Sequence, residues 1–224
     1  MLEYFSIDNP LLVCFIRSMN ILKVYLQNIY NVTQRGNARE ESYYESLTGV
    51  LKHYTEAADK TGIQITTLPK KTEAGNPDFR VWDGSHHIVG YLEAKSPTVE
   101  DLNRIERSEQ LQRYLHTFPN LILTNFLEFR LYRNGTLIDK VMIGRSFVLH
   151  QLQTVPPVEH EAEFLSLLEK FFAFSLPQVY DAKPLAIELA KRTRFLRDQV
   201  ILQVLREEQE TGKTLISGRQ AGDG

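Results

Sequence analysis

Gly75-Asn76-Pro77-Asp78-Phe79-Arg80-Val81-Trp82-Asp83-Gly84-Ser85-His86-His87-Ile88-Val89-Gly90-Tyr91-Leu92-Glu93-Ala94-Lys95 reads as two short strands joined by a tight turn. Pro77 can open a strand but not continue a central one, so pairing starts after it. Asp83-Gly84-Ser85-His86 supplies the turn, and the chain folds back through the apolar run 88–94. Successive strand side chains point to opposite faces, so Glu93 and Lys95 share a face about 6.6 Å apart while Ala94 points the other way. The fold-back brings Asp78 and Glu93, 15 positions apart in the chain, to the same end of the hairpin. Two convergent carboxylates, with the Ala94 carbonyl as a further oxygen, make a site for a hard divalent cation. The same residues also admit a plainer reading, a surface ion pair of Asp78 or Glu93 with Lys95. Asp181-Ala182-Lys183 repeats the triplet but runs into Pro184 and has no partner acid on a hairpin.

Outward from this hairpin, Met19 begins a helical pattern of Ile21, Leu22, Tyr25, Leu26 and Ile29, which leaves 1–18 as a peripheral extension. A second helix is expected over 38–58, with Tyr43, Leu47, Val50, Leu51 and Tyr54 on its buried stripe and Glu40 near its start. Ile63 to Leu68 alternates and forms the first strand. Thr98 as N-cap predicts a helix from Val99 to Leu115 that turns Leu102, Ile105, Leu111 and Leu115 to the sheet. Leu121-Ile122-Leu123-Thr124 has the composition of a strand covered on both faces. Asn134-Gly135, between Phe126–Tyr132 and Leu137–Ile143, signals an added hairpin because Asn-Gly tolerates positive φ. Strands then cease. A helix over Ala162–Phe174, carrying Leu165, Leu168, Phe171 and Phe172, precedes a longer one over Lys183–Glu210. The organisation is thus an extension at 1–18, a catalytic domain at 19–150, a helical segment or linker at 151–210 and a disordered tail at 211–224.

The 224 residues, 42% hydrophobic and 24% charged, suffice for one substantial core. A single cysteine, Cys14, excludes an internal disulfide and a cysteine-rich zinc site, and suits a reducing cytoplasm. Leu11 to Ile16 is too short to span a bilayer, and no membrane association is expected. The formal charge of −2 argues for weak, salt-sensitive and non-selective DNA affinity in this chain alone, with recognition borrowed from a partner. Basic residues do gather at Lys70 and Lys71, at Arg104, Arg107 and Arg113, and at Lys191, Arg192, Arg194 and Arg197; each group also reads as a solvated face. Two histidines in succession, His86-His87, point apart on a strand and make no joint metal site. Gly212-Lys213-Thr214 lacks the upstream glycine and strand of a phosphate-binding loop.

Phosphodiester hydrolysis needs an activated water, charge stabilisation at phosphorus and help for the leaving oxygen, much of which divalent ions supply. Asp78 and Glu93 would hold Mg²⁺, with Mn²⁺ an alternative, and Lys95 would orient the water or offset developing charge. The chain resembles the PD-(D/E)xK nuclease superfamily, and more closely the amino-terminal nuclease domain of single-polypeptide restriction-modification enzymes of Type I or Type IIG. The resemblance runs from about Met19 to Phe172. It rests on Glu40-Glu41-Ser42-Tyr43-Tyr44-Glu45-Ser46-Leu47, Asn76-Pro77-Asp78, Gly90 to Lys95, Glu109 to Tyr114, Phe118 to Asn125 and Glu128 to Tyr132. It implies an α/β fold, a restriction-endonuclease-like mixed sheet flanked by helices with the added hairpin and the C-terminal helical segment. It implies Asp78, Glu93 and Lys95 as the catalytic set and Glu40 as a helix-borne acid that helps hold metal. Gln110 and Tyr114 match the Gln-x-x-x-Tyr motif of the RecB-like branch; one helical turn apart, they share a face. The implied activity is that of a Mg²⁺-dependent endonuclease acting on double-stranded DNA in defence against foreign DNA. A methyltransferase, helicase or target-recognition domain would be its partner, because the motifs of the methyltransferase are missing here. The alternative is a truncated or non-catalytic module that keeps the fold for binding nucleic acid or protein.

Overall fold

The computed structural model describes residues 10–175 except Glu73 and His86, with 10–20 described in backbone only, and residues 189–194, 197, 204–206 and 209. The chain divides into two compact units, 1–176 and 177–224. The first unit holds one six-stranded sheet whose strands are neighbours in chain order: β1 (Gln64–Thr67), β2 (Phe79–Trp82), β3 (Ile88–Ala94), β4 (Asn120–Thr124), β5 (Glu128–Arg133) and β6 (Thr136–Met142). All pairs are antiparallel except β3 with β4, which run parallel, as a helical crossover between them requires. Among the described residues, α1 (Pro10–Gln34), a 3₁₀ turn (Glu40–Tyr43), α2 (Tyr44–Ala57), α3 (Leu102–Glu106), α4 (Glu109–Thr117), α5 (Ser146–His150) and α6 (Glu161–Phe172) complete the unit. This is the mixed, helix-flanked sheet that the sequence predicts.

Burial explains the composition of the strands. β3 is buried at every position but Ile88, and β4 throughout, because both faces are covered. On one face Leu92, Ala94, Ile122, Phe129 and Leu131 join Leu22, Leu26, Leu47, Leu51, Phe164 and Phe171 from α1, α2 and α6. On the other, Tyr91, Leu121, Leu123 and Tyr132 pack with Leu102, Leu111, Tyr114 and Leu115 from α3 and α4. Each fully buried Leu or Phe contributes roughly 1.5–3 kcal/mol, so the two clusters fix the position of β3 from both sides. The Asn134-Gly135 turn has φ of 49° and 78°, and β5 and β6 extend the same sheet.

Four boundaries differ from the sequence reading. α1 begins at Pro10 and runs unbroken through Met19; proline suits a first helical position, where its missing N–H would have no partner. The helix expected over 99–115 is two helices. Asp101, rather than Thr98, caps α3 through Asn103 N–H at 2.8 Å, and Ser108 caps α4 through Leu111 N–H at 3.3 Å. Thr98 instead meets the Ser96 hydroxyl at 2.9 Å. The 38–58 helix starts as the 3₁₀ turn, and Tyr44 is buried in it as well as Tyr43. In α6 Leu168, Phe171 and Phe172 are buried as expected, Leu165 is only half-buried, Phe164 and Leu167 join the buried stripe, and residues 151–176 belong to the first unit. Of the segment 183–210, residues 189–194, 197, 204–206 and 209 are helical; its remainder and the tail lie outside the described residues. Replacing Ser108 by Ala removes the cap of α4 and is expected to cost about 1 kcal/mol, measured as a lower urea midpoint with an unchanged m value.

Candidate active site

Asp78 sits where β1 and β2 begin to separate, its own carbonyl accepting from Leu68 N–H at 2.7 Å. The β2–β3 register pairs Phe79 with Leu92, which carries the Asp78 side chain past the end of the ladder toward Glu93 and Ala94. There its Oδ2 accepts from the Ala94 N–H at 2.8 Å, and its Oδ1 accepts from the Tyr44 hydroxyl at 2.6 Å. Both oxygens of Asp78 are thereby oriented from two sides. The Tyr44 ring is held against Phe79, centroids 4.7 Å apart, and against Phe126 at 6.4 Å.

Because α4 lies over this face of β3, Glu93 is 2% exposed, and its pairing with Lys95 is not the surface ion pair of the plainer reading. Its Oε1 accepts from Lys95 Nζ at 2.6 Å and from Gln110 Nε2 at 3.0 Å. Its Oε2 is buried without a partner. Gln110 also donates to the Tyr114 hydroxyl at 3.2 Å, so the Gln-x-x-x-Tyr pair joins the acid directly. The break at Ser108 starts α4 so that Gln110 lies in its first turn, beside Glu93. Lys95 is 20% exposed and lies 3.8 Å from Glu40 Oε1. Glu40, expected as a helix-borne acid, stands at the start of the 3₁₀ turn and reaches the cluster through Lys95. Ala94 itself is fully buried on the opposite face, its N–H taken by Asp78.

Three acids and one ammonium in this space leave an excess of negative charge. Burial raises the Glu93 carboxyl to about 8, and the neighbouring Asp78 charge adds to the rise against the attraction of Lys95. Burial likewise raises Glu40, with Asp78 opposing the relief that Lys95 gives. Burial pushes the Lys95 ammonium down, but Glu93, Glu40 and Asp78 outweigh it and hold its proton more firmly than usual. The Tyr44 hydroxyl is raised by burial and by its bond to Asp78, so it stays a donor. Tyr114 is raised by burial in the same way.

A partnerless buried carboxylate oxygen, hydrogen-bonded acids and hard oxygen donors fit one more cation. Among the described residues no three His, Cys, Asp or Glu side chains form a ready metal cage. The donor set is thus the Asp78 and Glu93 pair, which suits Mg²⁺, an ion commonly held by one or two carboxylates while water and phosphate fill its other positions. Sequence reasoning missed Tyr44; its register beside Tyr43 on a helical stripe reads as core. His87 lies in the turn after Asp83, whose Oδ1 accepts its N–H at 3.0 Å, and His86 lies outside the described residues.

Among the described residues no helix is long and apolar enough to cross a membrane. No family model and no curated protein matches the chain. Among solved structures, one chain of a cryo-EM structure of a DrdV–DNA complex is similar, with 22% identity and a TM-score of 0.51. The match covers 86% of this chain and 17% of that chain, and it supports the fold.

Proposed function

We propose that this chain is the nuclease module of a larger DNA-processing assembly, hydrolysing phosphodiester bonds with Mg²⁺ or Mn²⁺, within a restriction-modification system. The observation that carries the reading is the Asp78–Glu93–Lys95–Gln110 cluster, with its buried, partnerless Glu93 Oε2 beside an oriented Asp78. A fold similar to a chain solved in complex with DNA is consistent with double-stranded DNA as substrate. When bound, the metal would supply Lewis-acid stabilisation at the phosphate and acidify a water. Asp78, Glu93 and the Ala94 carbonyl would hold it, with Glu40 at the margin.

The chain's own groups do the rest. Lys95 keeps its proton and offers a fixed ammonium to the negative charge that develops on the phosphate. Gln110 holds Glu93 Oε1 from the helix side, which leaves the partnerless Oε2 for the metal. Tyr44 and the Ala94 N–H fix both oxygens of Asp78. The test is conversion of supercoiled plasmid by the purified chain with Mg²⁺, Mn²⁺ or chelator, alone and joined to a neighbouring methyltransferase. Metal-dependent nicking in either form supports the reading. Absence of cleavage from both would favour a non-catalytic module.

Tyr44→Phe should keep the ring packing and lose only the hydroxyl. With a charge-assisted bond worth about 1.5–3 kcal/mol gone, Asp78 is held from one side, and cleavage should fall about tenfold. Unchanged cleavage would show that the Ala94 N–H orients Asp78 without help.

A further inference from the structure

Beside the acid cluster, on the far side of Gln110, lies an open cleft of about 400 Å³ lined by Lys71, Gly75, Asn76, Gln110, Arg113 and Tyr114. One wall is the loop before Asp78 and the other is α4. The two are in close contact: Gly75 has φ of +129°, and a Cβ built on it would lie 3.2 Å from the Tyr114 hydroxyl. Thr72 closes the loop across Gly75, its N–H donating to the Gly75 carbonyl at 2.7 Å and its hydroxyl to the same oxygen at 2.8 Å. The floor is thus small and fixed, whereas the rim carries two cations.

What sets those cations apart from other exposed ones, such as Lys52 and Arg104, is their place on the cleft. Lys95, Arg130, Lys140, Arg145 and Lys170 each pair with a carboxylate. Among the described residues, Lys71 and Arg113 have no ion-pair partner, and both are exposed along the cleft. Gln110 belongs to both places, since it lines the cleft and donates to Glu93. A strand whose phosphate lay at Glu93 and Lys95 would pass Gln110 into this cleft.

We propose that the cleft is a subsite for the nucleotide adjoining the bond to be broken, with Lys71 and Arg113 clamping its phosphate and Asn76 offering an amide to the same unit. Arg113 presents a planar fork to phosphate oxygens, and Lys71 a point charge from the opposite wall. The inference rests on the nuclease reading, because that reading places a strand at Glu93. Lys71 and Arg113 are positioning residues: they hold the strand and touch no reacting atom.

The experiment separates this from catalysis by measuring binding in chelator. Fluorescein-labelled random 20-bp duplex and 12-nucleotide single strand are titrated with the wild-type chain, with Lys71→Ala/Arg113→Ala, and with Lys52→Ala, which removes an exposed charge from the middle of α2. The double variant should bind about tenfold more weakly at low salt, and its log–log salt slope should be shallower by about 0.9, the value for one phosphate that the protein no longer neutralises. Lys52→Ala should change neither. Where the wild-type chain cleaves, the double variant should raise KM and leave kcat within about twofold. Equal weakening by Lys52→Ala, an unchanged slope, or no measurable wild-type binding at low salt would overturn the subsite. So would dTMP binding as tightly as the 12-mer, which would make the cleft a nucleotide pocket. Loss of affinity in the double variant, together with a wild type that cleaves neither alone nor joined to the methyltransferase, would leave a strand-binding cleft, remove the nuclease reading and overturn its place beside a bond to be broken.

Discussion

Lys95→Ala and Glu93→Ala should each lower metal-dependent plasmid cleavage by on the order of a hundredfold or more. Three neighbouring acids hold the proton on Lys95 against the opposing effect of burial, so the ammonium is present at any working pH and its field is fixed before substrate arrives. Removing it withdraws several kcal/mol of stabilisation from a charge that grows only in the transition state. Removing Glu93 deletes an anionic donor and leaves Gln110 and Lys95 without their shared acceptor. The measurement is the initial rate of supercoiled plasmid loss at saturating Mn²⁺, with circular dichroism confirming the fold. Cleavage by Lys95→Ala at the wild-type rate would remove Lys95 from the mechanism.

Glu93→Gln should stabilise the folded chain as pH rises, which is the opposite of what loss of a buried ion pair usually does. Glu93 keeps its proton in the folded chain up to about 8 and loses it near 4.5 when unfolded. Between those values the folded state binds more protons than the unfolded state, so wild-type stability falls as pH climbs through the window. Below about 4.5 the penalty is absent, and above about 8 it is complete. The raised proton affinity of Lys95 acts the other way, contributing stability from the same pair. Burial and the Asp78 charge decide for Glu93, and the neutral amide of the Glu93→Gln variant can still accept from Lys95 through its oxygen. The net gain should be on the order of 1–3 kcal/mol near pH 8.5, several degrees in Tm, and near zero at pH 4. Mg²⁺ should raise the Tm of the wild type at pH 8.5 and leave that of the variant nearly unchanged. Parallel Tm profiles for the two proteins would mean that Glu93 ionises freely.

The hairpin and the site's outline were legible because they rest on short-range rules. Alternation sets Glu93 and Lys95 on one face, the turn at 83–86 sets the register that delivers Asp78, and spacing alone puts Gln110 and Tyr114 on one side of α4. Other features depend on contacts between distant segments. The two-residue break at Arg107–Ser108 was hidden by apolar residues that continue in nearly the same rhythm on both sides. The burial of Glu93 depends on α4 covering β3, which a seven-residue strand cannot reveal. The hydroxyl of Tyr44 reaches an acid 34 positions away, so its polar end has no sequence signature.

The central claim is that Asp78 and Glu93 jointly hold a divalent cation for phosphodiester hydrolysis. Anomalous diffraction from crystals grown with Mn²⁺ tests it most directly. The account predicts one strong peak within about 2.2 Å of an oxygen from each carboxylate, with Glu93 Oε2 among the ligands. No peak at this pair in crystals that carry Mn²⁺, with the Lys95–Glu93 bond intact, would contradict it.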